Sequence, residues 1–417
     1  MSRSVATDMN NSIILRQRSD YTQKYNQKIA RHDWLRLTPA YSVKMVEDLL
    51  SGFNDVPANV LDPFCGMATT ALCAVNKGYS TTTIDVNPFL VWLANVKTIN
   101  FPENTINSTH KACTNALRYI NTKAISPIIE PPIHNIERWW NAQARTFFCH
   151  LRPAIELATI NSPEERSLLL VAFCRTLIAT SNASFSHQSM SFGPNDQTII
   201  NSNLDLHELF RDNVLYVLEG ARQTIRGKAK IIHGDARSLE QLNDNFDLII
   251  TSPPYANRMS YIRELRPYMY WLGYLTNGRD AGELDWSSIG GTWGIATSRL
   301  NEWRSCDLTF TPKWFPSILD SIACVDNANG RLLANYIAKY SEDMWKHFVS
   351  LLSVLRSKCQ LHYIVGNSTF YGVLLPTEQL YANMMEELGF NNVKVRPIRK
   401  RNSKKELIEF DVSASWH

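Results

Sequence analysis

The sequence predicts an α/β fold in which helices cover a mainly parallel sheet. The first observation is a βαβ unit of about 30 residues, made of the strand ANVLDPF, the turn CGMATT, the helix ALCAVNKG and the strand YSTTTIDV. The second is the apolar run NFDLIIT, which reads as a buried strand and ends in a Pro-Pro turn. The third is size, because 417 residues with 44% hydrophobic content suffice for one large core with insertions.

The composition is typical of a soluble intracellular protein. The chain has no run of the roughly 18 to 20 apolar residues that a membrane span needs, and the start MSRSVATDMNNS lacks the apolar stretch of a secretory signal. The eight cysteines never form a CxxC pair, so we expect reduced thiols rather than a zinc ribbon or redox dithiol. A net charge of +4 is too small to indicate a polyanion partner by itself.

The order of elements predicts one discontinuous catalytic domain, formed by residues 31–100 and 228–417. Residues 1–30 are polar and aperiodic, which predicts a flexible arm, with order beginning near Trp34. The segment YSVKMVEDLL has the apolar spacing of a helix that leads into the first strand. The end of the chain predicts a helix, the strand LHYIVGN, a further helix and an antiparallel pair.

Two insertions are predicted within this domain. Residues 101–227 carry helical periodicity and few strand signals, so we expect a helical insertion whose core contains Trp139 and Trp140. The short strand AKIIHGDA then resumes the sheet. Residues 256–330 combine several glycines with tryptophans and tyrosines, which predicts loops anchored by aromatic side chains.

Three aspartates are predicted to follow neighbouring strands, at the edge where open α/β sheets bind ligands. The turn after Asp62 has too few glycines for a pyrophosphate cradle, and an acid there suits a cationic or amino-bearing ligand. Asp85 could accept both hydroxyls of a ribose, and Asp235 could accept the amino group of an adenine ring. Each aspartate alone is better explained as a turn or cap residue, but three at strand ends favour a ligand site.

The segment Thr251-Ser252-Pro253-Pro254-Tyr255 follows the buried strand. A Pro-Pro turn is rigid, so it would fix the Ser252 hydroxyl, the Pro253 carbonyl and the Tyr255 ring relative to one another. Two acceptors on the hydrogens of an exocyclic amine turn its lone pair toward an incoming group, and the tyrosine ring can stack on a base. Pro-Pro turns are common in loops, so the weight of this signal comes from its position after a buried strand.

Taken together, these segments resemble the motifs of the DNA amino-methyltransferases, which modify N4 of cytosine or N6 of adenine. LDPFCGMATT is similar to their S-adenosylmethionine (AdoMet) motif, TSPPY to the catalytic motif, LTPAYSVKMVEDLL to the preceding helix, IDVNP to the ribose motif and VRPIRKRNSKKELIEF to a basic closing hairpin. The resemblance implies a Rossmann-like class I AdoMet-dependent methyltransferase with a helical insertion and an aromatic loop insertion. It assigns catalysis to Ser252, Pro253, Pro254 and Tyr255. It assigns AdoMet binding to Tyr41, Asp62, Pro63, Phe64, Cys65, Gly66, Thr70, Asp85, Val86, Asp235, Ala236 and Thr251.

By this resemblance the reaction is a direct displacement on a base flipped out of double-stranded DNA. The base stacks on Tyr255 and donates its amino hydrogens to Ser252 and the Pro253 carbonyl, while the nitrogen attacks the sulfonium methyl group in line. Serine before Pro-Pro-Tyr is more usual in the cytosine-N4 enzymes, so N4-methylcytosine is the predicted product. The chain has no Pro-Cys dipeptide, which disfavours cysteine addition at carbon 5 of cytosine.

Three alternatives stay open: an adenine-N6 DNA methyltransferase, an RNA exocyclic-amine methyltransferase, and a catalytically silent nucleic-acid-binding subunit. The silent alternative is motivated by Met67 and Ala68, which stand where the family usually has a small residue and a second glycine. The long insertion before the Asp235 strand is also unusual. The resemblance further implies the cytoplasm of a bacterium or archaeon and a cognate restriction endonuclease as a functional rather than physical partner.

Two basic segments could contact DNA. The first, ANRMSYIRELRPYMYWLGY, contains Arg258, Arg263 and Arg266. The second, near the C-terminus, contains Arg399, Lys400 and Arg401. The alternative for the first is an amphipathic helix that closes over the active site, and for the second a solvated strand and turn. His187 lies in a polar loop that fits an uninvolved segment better than a DNA contact, and either insertion could read the target sequence.

Overall fold

A seven-stranded sheet forms the centre of this chain. The computed structural model describes residues 15, 18–36, 40–53, 58–184, 191–192, 205–258, 260–292, 294–305, 309–325, 329–401 and 407–417. In chain order its strands are β1 (Asn59–Asp62), β2 (Ser80–Asp85), β3 (Ala183–Ser184), β4 (Ser191–Phe192), β5 (Lys228–His233), β6 (Phe246–Thr251), β7 (Leu355–Gly366), β8 (Ser368–Phe370), β9 (Val373–Leu375), β10 (Asn391–Lys400) and β11 (Ile408–Ser415).

In the main sheet the strands lie in the order β10-β11-β7-β6-β1-β2-β5. The five strands from β7 to β5 are parallel, whereas β11 is antiparallel to both β7 and β10. The predicted α/β fold, with its mainly parallel sheet and terminal antiparallel pair, is therefore confirmed. The strand β1 has β2 on one side and β6 on the other, so the strand order reverses there and leaves a crevice beyond the carboxyl ends.

Helices flank this sheet along the described chain. They are α1 (Val43–Gly52), α2 (Thr69–Asn76), α3 (Pro88–Thr98), α4 (Glu103–Tyr119), α5 (Ile136–Trp139), α6 (Ala142–Ala158), α7 (Pro163–Ala179), α8 (Leu206–Ala221), α9 (Tyr261–Trp271), α10 (Gly278–Ser287), α11 (Ile295–Glu302), α12 (Phe315–Ala323), α13 (Asn329–Leu351) and α14 (Thr377–Glu387). Polar caps begin the helices beside the crevice, since the Ser42 side chain accepts a hydrogen bond from the Lys44 amide of α1 and the Asn87 side chain accepts one from the Phe89 amide of α3. No helix in the described ranges is long and apolar enough to cross a bilayer.

The described part of residues 101–227 is largely helical, as predicted. Trp139 and Trp140 are buried, with ring centroids 5.6 Å apart, which confirms their predicted place in the core. Trp140 also packs edge-on against Trp271 of α9, at 5.8 Å between ring centroids. The insertion thus shares one hydrophobic core with α3 and α9, which fixes it against the elements that lead to the crevice.

The prediction of loops over residues 256–330 is wrong, because the described part of this region forms α9, α10, α11 and α12. Gly273, Gly278 and Gly294 lie at helix ends, whereas Gly282 lies within α10 and Gly290 and Gly291 lie in the turn that follows it. Gly273 follows α9 with φ +83°, and Gly294 precedes α11 with φ +61°. Glycine adopts these left-handed conformations without the steric cost of a Cβ atom. Gly273 and Gly294 therefore mark boundaries between short helices.

The flexible arm predicted for residues 1–30 is wrong for the residues from 18 onward. Residues 19–33 form three short 3-10 helices that pack on the domain. Arg31 is buried, and its guanidinium donates to backbone carbonyls of α3 and α8 and of the residues that follow them. Polar side chains that bond to distant backbone groups order this segment, and such anchors leave no hydrophobic period in the sequence.

Candidate active site

A cleft of about 1040 Å³ lies beyond the carboxyl ends of the parallel strands. It brings together both predicted motifs, although 190 residues separate them. The predicted site residues that line it are Tyr41, Pro63, Phe64, Cys65, Gly66, Asp85, Val86, Asp235, Ala236, Ser252, Pro253, Pro254, Tyr255, Arg399, Lys400 and Arg401. Its size is that of a large small-molecule site.

Asp62, Thr70 and Thr251 lie behind this lining rather than in it. The Thr251 hydroxyl donates to Asp62 Oδ1 at 2.7 Å, and the Thr70 hydroxyl donates to the Ile250 carbonyl at 3.2 Å. Tyr41, which does line the cleft, hydrogen-bonds Thr70 through its hydroxyl. These contacts tie the end of β1 to the end of β6, so the two motif segments are held in a fixed relation.

Asp62 has the properties expected of a partner for a cationic group. Its side chain is fully buried, and its Oδ2 atom has no hydrogen-bond partner in the described structure. Burial raises the pKa of Asp62 to about 7, although the hydrogen bond from Thr251 opposes this shift. A buried carboxyl group with one unsatisfied oxygen fits the ammonium group of an amino-acid-like ligand such as AdoMet.

The turn after Asp62 is held by the next strand. Asp85 accepts the Gly66 amide on Oδ2 at 3.0 Å and the Asn87 amide on Oδ1 at 2.9 Å. Burial raises the pKa of Asp85 to about 6. Both carboxylate oxygens keep further acceptor capacity, so this side chain can take ribose hydroxyls while it fixes the turn.

Ala68 adopts a left-handed conformation, with φ +60° and ψ 33°, at the start of α2. Such a conformation costs an L-residue roughly 1–2 kcal/mol. The structure therefore gives a physical reason why a glycine would suit this position better than the alanine in the sequence.

An Ala68→Gly variant is expected to raise the free energy of unfolding by about 1 kcal/mol, because relief of the left-handed strain outweighs the added chain entropy. Urea unfolding measures this change as a higher transition midpoint. As a matched control, Ala71→Gly within α2 should lower the stability by about 1 kcal/mol or more. A loss of stability in Ala68→Gly would contradict the strain assigned to this turn.

Asp235 is less available than the sequence suggests. The Arg237 guanidinium binds its carboxylate in a bidentate manner, with Nε 2.9 Å from Oδ1 and Nη2 2.6 Å from Oδ2. Burial acts to raise the pKa of Asp235, but the hydrogen bonds from Arg237 outweigh it and lower that pKa. Arg237 also donates to Asp343 and to the Ser287 carbonyl. It was not predicted, although it stands two residues after Asp235.

Hydrogen bonds to Tyr340, Tyr261 and Glu409 position the TSPPY turn. Tyr340 donates its hydroxyl to the Pro254 carbonyl at 2.8 Å, and Tyr255 donates its amide to the Tyr261 hydroxyl at 3.2 Å. The Tyr255 hydroxyl donates to Glu409 Oε1 at 2.9 Å. Burial raises the pKa of Tyr255 well above its ordinary value, so this phenol is protonated at neutral pH.

The C-terminal hairpin, formed by β10 and β11, closes around Tyr255. Arg399 donates Nε to Glu409 Oε2 at 2.7 Å, which neutralises a carboxylate that is 3% exposed. The Arg401 guanidinium lies 5.0 Å from the centre of the Tyr255 ring. At Gly366, the partner of Glu409 on β7, an added Cβ atom would come within 2.3 Å of Arg401 and 3.1 Å of Tyr255. Sequence reasoning missed Glu409 and Gly366, because nothing local distinguishes them.

The three arginines predicted near α9 are not brought together at the cleft. Arg258 is exposed, Arg263 is half-buried, and none of the three lines the cleft. Arg266 packs over the Trp139 ring at 5.1 Å, and burial lowers its pKa. For Arg266 the structure thus favours the amphipathic-helix interpretation. His187 lies outside the described residues.

The fold and the cleft together define a class of protein. A doubly wound sheet with this strand order, acidic residues at or just beyond the ends of three neighbouring strands and a cleft at their carboxyl ends is the Rossmann-like arrangement of class I methyltransferases.

Comparison with known proteins agrees with this class. The chain is 21% identical over 452 residues to the Type II methyltransferase M.BsoBI of Geobacillus stearothermophilus, and the match covers 91% of this chain and 82% of that protein. It is 26% identical over 174 residues to the Type II methyltransferase M.AvaI of Nostoc sp. and of Anabaena variabilis, covering 39% of this chain and 35% of each relative. No protein-family model matches the chain. The long match and the fold both support a methyltransferase.

Proposed function

We propose that this protein transfers a methyl group from AdoMet to the exocyclic N4 of a cytosine in double-stranded DNA, as the methylase of a restriction-modification system. One observation carries the proposal: a single cleft is lined by the turn after β1 and by the SPPY turn after β6. The relatives named Type II methyltransferases support DNA as the substrate class.

Three carboxylates fit the cofactor. Asp62 would hold the amino group of AdoMet through its unsatisfied Oδ2, and Asp85 would accept the ribose hydroxyls. The Asp235 carboxylate, oriented by Arg237, would accept a hydrogen bond from the amino group of the adenine ring through its remaining lone pairs. AdoMet, when bound, would supply an electrophilic methyl group.

The SPPY turn would orient the target base. Ser252 and Pro253 both belong to the cleft lining, and the Ser252 hydroxyl and the Pro253 carbonyl would accept the two amino hydrogens of a flipped base. This directs the nitrogen lone pair out of conjugation with the ring and toward the methyl donor. The Tyr255 ring, held by the hairpin, would stack on the base and limit its rotation.

Cytosine N4 is preferred over adenine N6 because a serine precedes Pro-Pro-Tyr. Adenine N6, an RNA amine and a silent subunit are the alternatives. The left-handed Ala68 is the observation that favours the silent subunit, since its strain destabilises the turn that AdoMet would contact.

Incubation of the protein with methyl-labelled AdoMet and, in separate reactions, mixed-sequence duplex DNA or RNA, followed by digestion to nucleosides and mass spectrometry, tests the proposal. N4-methylcytosine is the expected product. N6-methyladenine would show that the target base is adenine and leave the rest of the proposal intact. Labelled RNA with unlabelled DNA would show that the substrate is RNA. An absence of AdoMet binding would establish the silent subunit.

The structure also predicts that Glu409 acts by positioning Tyr255. A Glu409→Gln variant is expected to lower kcat by about tenfold, because the tyrosine loses a hydrogen bond to a charged acceptor. The AdoMet affinity should stay unchanged. The measurements are kcat for methyl transfer and the AdoMet Kd.

A double-mutant cycle with Tyr255→Phe separates this role from general destabilisation. The phenylalanine variant lacks the hydroxyl that bonds Glu409, so in that background Glu409→Gln should lower kcat by less than about twofold. Equal losses in both backgrounds would show that Glu409 does not act through Tyr255.

A further inference from the structure

The cleft carries more positive charge than the cofactor explains. Its lining holds the three carboxylates of Asp85, Asp235 and Glu409 and six cationic side chains, while the whole chain has a net charge of +4. The cations are Arg18, Lys24, Arg36, Arg399, Lys400 and Arg401. AdoMet itself is a net cation when its amino group is protonated, so an excess of positive charge opposes its binding. The same excess attracts a polyanion.

Half of these cations come from residues 18–36, here termed the N-terminal segment, rather than from the hairpin. This segment is fixed to the start of α1. The Asn26 side chain donates to the Tyr41 carbonyl at 2.9 Å and accepts the Val43 amide at 2.8 Å. Because Tyr41 lines the cleft, these bonds place the cations of the segment along the same opening.

Arg18 and Lys24 are accessible to an incoming phosphate group. Both are exposed. Arg18 pairs with Asp20 at 2.5 Å and lies 3.6 Å from the centre of the Tyr21 ring. Exposed ion pairs of this kind contribute little free energy, so a phosphate group can replace the carboxylate at small cost.

We propose that the N-terminal segment is a second phosphate-binding wall of the cleft, in which Arg18 and Lys24 bind the DNA backbone in addition to the cations of the hairpin. This inference rests on the proposed function, because it takes duplex DNA as the polyanion. The hairpin then acts on the target base through its contacts with Tyr255, whereas the N-terminal segment contributes affinity for DNA without sequence information.

The test is the salt dependence of DNA binding by an Arg18→Gln/Lys24→Gln double variant. Fluorescence anisotropy with a labelled duplex, titrated at several NaCl concentrations, gives the observed affinity at each. We expect roughly tenfold weaker binding at moderate salt, and a plot of log K against log[salt] that is shallower by about 2. The AdoMet Kd, which also reports correct folding, should change by less than about twofold.

An Arg226→Gln/Lys228→Gln variant is the matched control. It removes the same charge at exposed positions near the start of β5, at the opposite end of the parallel strands from the cleft. Its DNA affinity and salt slope should equal those of the wild type.

Two results would overturn the inference. One is an unchanged salt slope in the Arg18→Gln/Lys24→Gln variant. The other is a raised AdoMet Kd with unaltered DNA binding, which would assign these cations to the cofactor carboxylate. The titrations need no turnover, so they separate this inference from the proposed function. That function fails if the wild-type protein leaves DNA unmethylated.

Discussion

Replacement of Tyr255 with alanine is expected to lower kcat for DNA methylation by roughly 100-fold or more, with an AdoMet Kd within about threefold of wild type. The ring is the proposed stacking surface for the target base, and its loss also removes the hydroxyl that bonds Glu409. The base would then be free to rotate away from the SPPY turn. Single-turnover methyl transfer and calorimetric AdoMet titration measure the two quantities.

Ser252→Ala is a second active-site variant, and Tyr371→Ala is the matched control for Tyr255→Ala. Ser252→Ala removes one of the two proposed acceptors, so kcat should fall by about 10- to 100-fold. Tyr371 is an exposed tyrosine, 48% accessible, in the turn between β8 and β9 and outside the cleft lining, so its replacement should leave kcat unchanged. A wild-type kcat in Tyr255→Ala would show that the TSPPY turn is not part of the active site.

Asp62→Asn is expected to raise the AdoMet Kd by about 10- to 100-fold, because a hydrogen bond between an ammonium group and a buried carboxylate contributes roughly 1.5–3 kcal/mol. The asparagine keeps an oxygen that can accept from Thr251, so the turn should persist. Isothermal titration with AdoMet measures the effect. Asp244→Asn, which removes a carboxylate paired with Lys230 far from the cleft, should leave the Kd unchanged.

The pH dependence supplies an independent test. The pKa of Asp62 is raised to about 7, so the carboxylate that binds an ammonium group forms as pH rises through that value. Wild-type AdoMet affinity should therefore increase from about pH 6 to about pH 7.5, below the ordinary pKa of an α-amino group. Asp62→Asn should lack this increase.

The free energy of unfolding should change with pH in the opposite direction to the AdoMet affinity. A raised pKa in the folded state means that the ionised Asp62 destabilises the protein above the unfolded pKa of about 3.9, and fully so above about pH 7. Without ligand, Asp62→Asn should be at least as stable as wild type at about pH 8. A variant that unfolds there would indicate a structural role for the carboxylate instead.

The sheet and both motif turns could be predicted because their signals are local. The βαβ unit and the TSPPY turn each lie within a few tens of residues, and apolar runs with turn residues specify them directly. Their meeting in one cleft followed from topology, since parallel strands end at the same edge. The assignments of individual residues to AdoMet and to the base stay predictions.

The helices of residues 256–330 escaped prediction for a different reason. Glycines at left-handed positions such as Gly273 end short helices, and in the sequence they look the same as glycines within loops. The engagement of Asp235 by Arg237 had a local signal, two residues apart, but its geometry depends on Asp343 of α13 as a second partner.

By itself, the sequence determined the α/β fold, the cleft at the strand ends and the two turns that face it. The tertiary structure alone decided how the N-terminal segment and the hairpin complete that cleft. Arg31 bonds the Gly220 carbonyl across 189 residues, and Tyr255 bonds Glu409 across 154. Such polar contacts join single side chains that have no periodicity of their own. They become visible when the apolar core has set the positions of the strands and helices that carry them.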